Sequence, residues 1–275
     1  MAALTRYARW QLGSRLKGGK TVVPFLAGTK LAVSPGMTGA TGNIYCGLHE
    51  FEDMAFVLHG LRAGEQFLDV GANIGSYSVL AGGVVKARVL SFEPSPVTYE
   101  HLKENIRIND LGDSVTALNM AVGAAKGELR FTVGLDTTNH IVGQREQGVN
   151  SVAVEVVPLD EAAAGLSPVL MKVDVEGFET EVIRGATRTL ASPSLLGILM
   201  ELNGSGRRYG YDEQAVHGTL LAAGFMPALY EPFSRKLSLA AEKGLTGNTL
   251  YVRSAPALQE RLKNAPRHHV NGVSF

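Results

Sequence analysis

From Gln66 onward, short apolar runs alternate with helix-like stretches, and this alternation limits the chain to an α/β architecture more than any other feature does. Gln66–Val70, Arg88–Phe92 and Val115–Asn119 have strand character. Ser76–Lys86 and Pro96–Asn109 have helix character, the second opened by a proline in its first turn. A βαβαβ run of this kind implies right-handed crossovers and a parallel sheet. The rhythm breaks at two further strand-like runs, Glu128–Val133 and Ser151–Val157. Between them, Gly134–Asn150 is polar and long enough to expect a functional loop. The pattern then resumes with a strand at Val169–Val173, a helix at Phe178–Leu190, a strand at Leu195–Leu202 and a helix at Glu213–Ala223. Met226–Glu231 and Asn248–Arg253 complete it as an antiparallel pair. The expected fold is doubly wound, with a mostly parallel seven-stranded sheet, an N-terminal cap segment and an inserted β/loop region.

The 275 residues, 45% hydrophobic and 19% charged, can bury one enlarged α/β core. We divide the chain into a basic helix and cap segment (1–61), the α/β domain (62–255) and a tail (256–275). Arg6, Arg9, Arg15, Lys17, Lys20 and Lys30 all precede the first acid, Glu50, while Leu4, Ala8, Leu12 and Leu16 fall four apart. Such a basic amphipathic helix packs on the domain, rests on a membrane surface, or serves as an acid-poor transit segment. Lys30–Leu61 begins in turn-rich sequence around Ser34-Pro35-Gly36 and ends in a helix at His49–Leu61, the expected cap over the open end of the sheet. Arg261–Phe275, with His268 beside His269, has the character of a frayed, solvated tail.

No apolar run approaches the ~18–20 residues of a spanning helix, and no small-residue cleavage site follows Met1, so the expectation is a cytoplasmic protein. Cys46 is the only cysteine, which excludes an internal disulfide or cysteine-based zinc cluster and suggests a small semi-buried residue. Lys and Arg number 26, as do Asp and Glu. That balance argues against a surface built to follow a phosphate backbone, so no nucleic-acid partner is expected.

The chemistry concentrates where the first sheet strand becomes the first helix, at Asp69-Val70-Gly71-Ala72-Asn73-Ile74-Gly75. Ligands of doubly wound sheets bind outside the carboxyl ends of the strands, beside the reversal of strand order. Glu93 ends the next strand about 20 residues later, where an acid accepts both hydroxyls of a ribose. A dinucleotide wants Gly-x-Gly-x-x-Gly so that helix-start amides hold a pyrophosphate. Here those positions are Gly71, Asn73 and Ser76, and Asp69 would repel a pyrophosphate. S-adenosylmethionine offers a ribose, an ammonium and a sulfonium with no phosphate, so the charges favour it over NAD. A purely architectural strand-turn-helix remains a third reading.

Several blocks then occur in order. They are Phe67-Leu68-Asp69-Val70-Gly71-Ala72-Asn73-Ile74-Gly75, Ser91-Phe92-Glu93-Pro94-Ser95-Pro96, Leu159-Asp160, Met171-Lys172-Val173-Asp174-Val175-Glu176-Gly177-Phe178-Glu179 and Arg184-Gly185-Ala186. In these blocks, from about Ile44 to Asn203, the chain resembles the FkbM family of S-adenosylmethionine-dependent methyltransferases. His49-Glu50-Phe51-Glu52 is similar to a segment often found upstream in that family. The resemblance implies a Rossmann-like class I methyltransferase fold and methylation of hydroxyl groups, often on sugars of glycans or on macrolide-type natural products. The implied acceptor is therefore a small molecule or a glycan. Asp69, Gly71, Ala72, Asn73, Gly75, Glu93 and Asp174 are the candidate cofactor residues, and the family geometry puts the adenine near Asn119 and Ala121.

Methyl transfer to a hydroxyl needs positioning and a base within hydrogen-bond reach. The expectation is that Asp174 orients cofactor and acceptor while His140, in the long loop beside Asn139, or Glu176 takes the proton. Plainer roles compete: Glu176 as a helix cap, Lys172 paired with an acid inside the sheet, Glu201 holding the N-terminal cap. Asp174, Glu201 and Asn203 are also oxygen ligands that would suit Mg²⁺, so a metal-assisted variant stays open. Gly204–Tyr211, with Arg207, Arg208, Tyr209 and Tyr211, is a candidate acceptor surface. The competing functional classes are a non-catalytic cofactor-binding module, a methyltransferase of another acceptor class and an NAD-dependent oxidoreductase.

Overall fold

A computed structural model describes residues 19–34, 37–135, 138–143, 146–242, 244 and 247–275. The expected basic amphipathic helix, with any membrane contact it makes, falls outside the described residues. The chain begins with a hairpin of β1 (Thr21–Pro24) and β2 (Lys30–Val33), followed by α1 (Thr38–Cys46) and α2 (Phe51–Gly60). Next come β3 (Gln66–Val70), α3 (Ser76–Val79) running on into a π-helical turn Leu80–Val85, β4 (Arg88–Phe92), α4 (Pro96–Ile108) and β5 (Val115–Leu118). The insertion carries β6 (Ala121–Val122), β7 (Gly127–Thr132) and β8 (Ser151–Val157). The second half holds α5 (Leu159–Ala162), β9 (Pro168–Val173), α6 (Glu179–Arg184), α7 (Thr187–Ala191), β10 (Gly197–Glu201) and α8 (Glu213–Ala222). It ends with β11 (Met226–Glu231), β12 (Lys236–Leu239), β13 (Asn248–Val252), α9 (Ala255–Lys263) and a two-residue-per-strand hairpin, β14 (His269–Val270) with β15 (Val273–Ser274).

The main sheet runs in the order β12-β11-β13-β10-β9-β3-β4-β5. From β10 to β5 every pairing is parallel, and β13, β11 and β12 are antiparallel. The order reverses between β3 and β9, the switch point at which such folds bind ligands. β12 makes eight strands where seven were expected, because the turn after β11 is stabilised by Glu231, whose carboxylate accepts the amides of Phe233 and Ser234. The expected helix over Phe178–Leu190 is broken into α6 and α7. The backbone of Gly185 lies against that of Gly123, leaving no room for a Cβ.

Alternation along each strand divides the core. Phe67 and Leu170 point to one face with Phe56, Leu80, Leu102 and Leu258. Leu68, Val70, Met171 and Val173 point to the other with Val182, Leu220 and Phe225. Asp69 and Lys172 are cross-strand neighbours, and by the same alternation they share the face of Phe67. That places two charged groups at the carboxyl ends of the central strands, beneath the N-terminal cap.

The cap is tied to the sheet by amide side chains. Asn105 Oδ1 accepts the Ala32 amide at 2.7 Å, and its Nδ2 donates to the Ile74 carbonyl at 2.8 Å. One buried asparagine thus joins the β1–β2 hairpin to the glycine turn. Between the strands and α2, α1 forms where only turn-rich sequence was expected. Cys46, at its end, is exposed and not semi-buried.

The C-terminus also departs from expectation. It folds back over α2, with Leu258 and Leu262 fully buried and Phe275 3% exposed. Phe275 packs edge-on against Phe51, and the His268 ring stacks on His59. His269 is exposed, as expected. Apolar residues spaced through a short segment found a partner surface that the sequence alone could not identify. Among the described residues, no helix is long and apolar enough to cross a membrane.

Candidate functional site

A cleft of about 310 Å³ opens at the switch point. Its floor is the turn after β3, which is shaped by backbone geometry. Gly71 has φ +84°, and a Cβ there would stand 1.8 Å from the Asp174 carbonyl oxygen. Only a residue without a side chain fits. Gly75, at φ +88°, faces Leu102 Cδ1, which would lie 2.5 Å from an added Cβ. Asn73 also has positive φ, and its Oδ1 accepts the Ile74 amide at 2.7 Å. Asparagine tolerates this left-handed conformation through such local bonds.

Glu93 is buried at the end of β4. Its two oxygens accept the amides of Asn73 (2.9 Å) and Ser95 (2.8 Å). Burial pushes its carboxyl up to about 7, against the pull of those amides. Asp69 lies wholly buried and accepts the Ser78 hydroxyl at 2.5 Å; burial raises its pKa, opposed by the neighbouring Lys172. Asp69, Gly71, Ala72, Asn73, Glu93, Ala121 and Asp174 all line the cleft. Gly75 shapes the turn from behind. Asn119 does not face the cleft: its Nδ2 donates to the carbonyls of Glu93 and Pro94 at 2.9 and 3.0 Å, bracing the strand end. Met120 and Val122 line the cleft in its place.

The opposite wall is ionic. The buried Lys172 ammonium donates to Asp174 Oδ2 at 2.6 Å and lies 4.9 Å from the centre of the Tyr77 ring. Desolvation alone would lower its pKa, yet Asp174, Glu50 and Asp69 together hold it above the ordinary lysine value. Asp174 and Glu201 share a hydrogen bond. Asp174, next to the ammonium, is held low. Glu201 is pushed up by burial and by the Asp174 charge. Glu176 lies beside the pair at φ +54°, and its carboxyl is raised by burial and by Asp174. Among the described residues its carboxylate has no hydrogen-bond partner.

One ligand atom each from Asp174, Glu176 and Glu201 lies within 4.8 Å of the others. The oxygen set is of the kind that binds hard divalent ions. The Lys172 ammonium already pairs with one of these three acids, Asp174. Asn203 is elsewhere: it is exposed, and its Oδ1 accepts the Ser205 amide at 2.9 Å in a local turn.

The structure also relocates His140. The ring is buried, with Nδ1 2.8 Å from the Thr138 carbonyl and Nε2 3.0 Å from Glu146 Oε1. Both nitrogens are engaged within the loop, and its neighbours Asn139 and Ile141 line the cleft instead. A proton-accepting role for His140 does not follow from this placement. Tyr209 and Tyr211 are engaged similarly, their hydroxyls donating to the Ile141 carbonyl (2.5 Å) and to Glu181 (2.8 Å), so neither offers an open sugar platform.

Sequence reasoning missed the contribution of the cap. Asn43, His49, Glu50 and Met54 line the cleft. Glu50 accepts the Tyr77 hydroxyl at 2.9 Å and the Asn248 amide at 2.7 Å, and Asn248 also donates to Asp53. Burial lifts the Asp53 carboxyl to about 6. The only signal for this wall was the His49-Glu50-Phe51-Glu52 resemblance.

Residues 69–226, more than half of the chain, match the model of the methyltransferase FkbM domain. The hexuronic acid methyltransferase AglP of Haloferax volcanii is 30% identical over 127 residues, covering 45% of this chain and 51% of that protein. The 31-O-demethyl-FK506 methyltransferase FkbM of Streptomyces tacrolimicus is 28% identical over 172 residues, covering 49% and 65%. The chain thus spans between a half and two thirds of the length of these relatives. Among solved structures, Pyrococcus horikoshii TYW2 in complex with MeSAdo aligns at a TM-score of 0.45 with 15% identity, covering 84% of this chain and 69% of that one. With the family model seated over the glycine turn, the acidic turn and the strands between them, the chain belongs to the FkbM methyltransferase family.

Proposed function

We propose that this protein is an S-adenosylmethionine-dependent O-methyltransferase acting on a hydroxyl of a carbohydrate or secondary metabolite. The observation that carries this reading is the pairing in one cleft of a glycine turn with no room for a Cβ and a carboxylate, Glu176, with no hydrogen-bond partner among the described residues. When bound, the cofactor supplies an electrophilic methyl group on a sulfonium. Glu93 would hold the ribose hydroxyls, and the turn at Gly71–Asn73 admits the ligand close to the backbone. Asp69 and Asp174 supply the negative charge that suits a cationic ligand.

Glu176 accepts the acceptor's proton. Its pKa is raised, which brings a carboxylate closer to the basicity that proton transfer requires. Asp174 is held low by Lys172, and Glu201, hydrogen-bonded to it, is held high. The two relatives named above, one for a hexuronic acid and one for a 31-O-demethyl compound, support an oxygen-bearing acceptor.

The test is calorimetric titration with S-adenosylhomocysteine, with NAD as a parallel ligand, followed by labelled-methyl transfer to a panel of sugars and polyketide alcohols. Micromolar binding of the first ligand but not of NAD is expected. Glu93→Gln should weaken that binding, and Glu176→Gln should keep it while lowering turnover at least 100-fold. Absence of binding would sink the reading. Binding without turnover across the panel would leave a cofactor-binding module. Full activity in chelator is expected.

A further inference from the structure

The wall of the cleft opposite the glycine turn is held from behind. Ile141 and Asn139 face the cleft from the loop after β7, with Phe131 of β7 beside them. Arg208 and Tyr209, in the 3₁₀ turn Ser205–Tyr209 after β10, do not face it. Yet the two bind three parts of that wall. Arg208 Nη1 donates to the Glu176 carbonyl at 3.1 Å, and its Nε lies 3.8 Å from Glu146 Oε1. The Tyr209 hydroxyl donates to the Ile141 carbonyl at 2.5 Å. Glu146 in turn accepts the Gly143 amide at 2.7 Å and touches His140. Behind Glu176, Gly177 packs so closely on Ser205 that an added Cβ would stand 2.7 Å from its backbone.

We propose that Arg208 and Tyr209 form a clip that sets the acceptor side of the cleft, with Arg208 a positioning residue that acts through Glu176 and the 138–143 loop. Glu176 needs such a hold, because a non-glycine residue at φ +54° relaxes unless its surroundings impose the conformation. Arginine suits the place: its planar fork reaches a carbonyl and a carboxylate at once, which a lysine ammonium on a flexible stem does not. The loop needs the hold as well. β7 and β8 belong to a small sheet separate from the main one, and the loop they carry continues it through the Phe131–Ile141 bridge. The functional consequence rests on the reading above, in which Glu176 takes the proton; the acceptor would then lie on the same side, against Ile141 and Asn139.

The test uses the full chain, wild type against Arg208→Ala, Arg208→Lys and Tyr209→Phe, by hydrogen-exchange mass spectrometry and S-adenosylhomocysteine titration. Arg208→Ala is expected to speed exchange at least tenfold at the amides of His140, Val142 and Gly143. Protection of 66–93 and the ligand Kd should stay within threefold of wild type. Arg208→Lys should recover only part of the protection, and Tyr209→Phe should loosen Ile141 and Val142 while sparing Glu176. In methyl transfer, the KM for the best hydroxyl acceptor should rise at least tenfold for Arg208→Ala with the KM for S-adenosylmethionine unchanged. Unchanged loop exchange in Arg208→Ala would overturn the clip, as would equal loss of protection at 66–93. If the wild type failed to bind S-adenosylhomocysteine, the functional reading would fall, while exchange in the free chain would still decide the clip.

Discussion

The two sides of the cleft are held by different means. On the β3 side the backbone leaves no room for alternatives: Gly71 meets the Asp174 carbonyl, Gly75 meets Leu102, and Glu93 is bonded to two amides. On the insertion side the wall consists of side chains and of a loop fastened by Arg208, Glu146 and Tyr209. Backbone contacts of the first kind tolerate no added atom, whereas side-chain clips allow the wall to be rebuilt without disturbing the fold. Under the proposed function, the first side would hold the cofactor and the second the acceptor.

The hardest test of this contrast is Gly71→Ala. Left-handed strain and a Cβ overlapping the Asp174 carbonyl should together cost on the order of 4 kcal/mol. S-adenosylhomocysteine binding should vanish, as read by denaturant melts and calorimetry. A mild effect would mean that the glycine turn is no more constrained than the loop. Lys172→Met comes next. It strands Asp174 and Asp69 without their cation, and denaturation should show a loss of about 3 kcal/mol. A neutral or stabilising outcome would show that the ionic wall contributes chemistry and no stability.

Glu93 sharpens the comparison through pH. Its folded pKa, about 7, lies above the ordinary 4.5. The folded chain therefore holds the proton more tightly than the unfolded one. The associated stability is present below pH 4.5 and is lost as pH rises towards 7, at about 1.4 kcal/mol per unit. Ribose hydroxyls donate to the ionised form, so S-adenosylhomocysteine affinity should climb from pH 6 to 8 and then level off. Glu93→Gln should flatten that profile. A profile unchanged in the variant would remove Glu93 from ribose recognition.

Smaller effects belong to the insertion side. Asn139 Oδ1 accepts from the Thr132 hydroxyl and the Leu135 amide. Asn139→Ala should cost about 1 kcal/mol and leave the S-adenosylhomocysteine Kd within threefold. A tenfold change in that Kd would erase the division between the two sides.

The sequence by itself determined the α/β alternation, the switch-point turn and the acids at the ends of β3, β4 and β9. These were legible because periodicity and glycine placement act locally: a strand alternates every two residues, and a φ > 0 turn selects glycine within a few positions. The pairing of Lys172 with an acid inside the sheet was likewise legible, but not that the acid is Asp174, since the choice depends on burial that only the closed sheet provides.

Tertiary structure alone decided the rest. His140 turned away because Thr138 and Glu146 offered partners for both ring nitrogens, and Asn119 turned to brace Glu93 and Pro94 for the same reason. Glu201 became the hydrogen-bond partner of Asp174 because β10 lies beside β9. The C-terminal segment found α2, and α1 and α2 brought Asn43 and Glu50 to the cleft. Apart from the local contacts of His140, each outcome depends on residues far apart in the chain. Buried polar groups take whichever partner the packed fold presents, and spacing along the sequence carries no record of that choice.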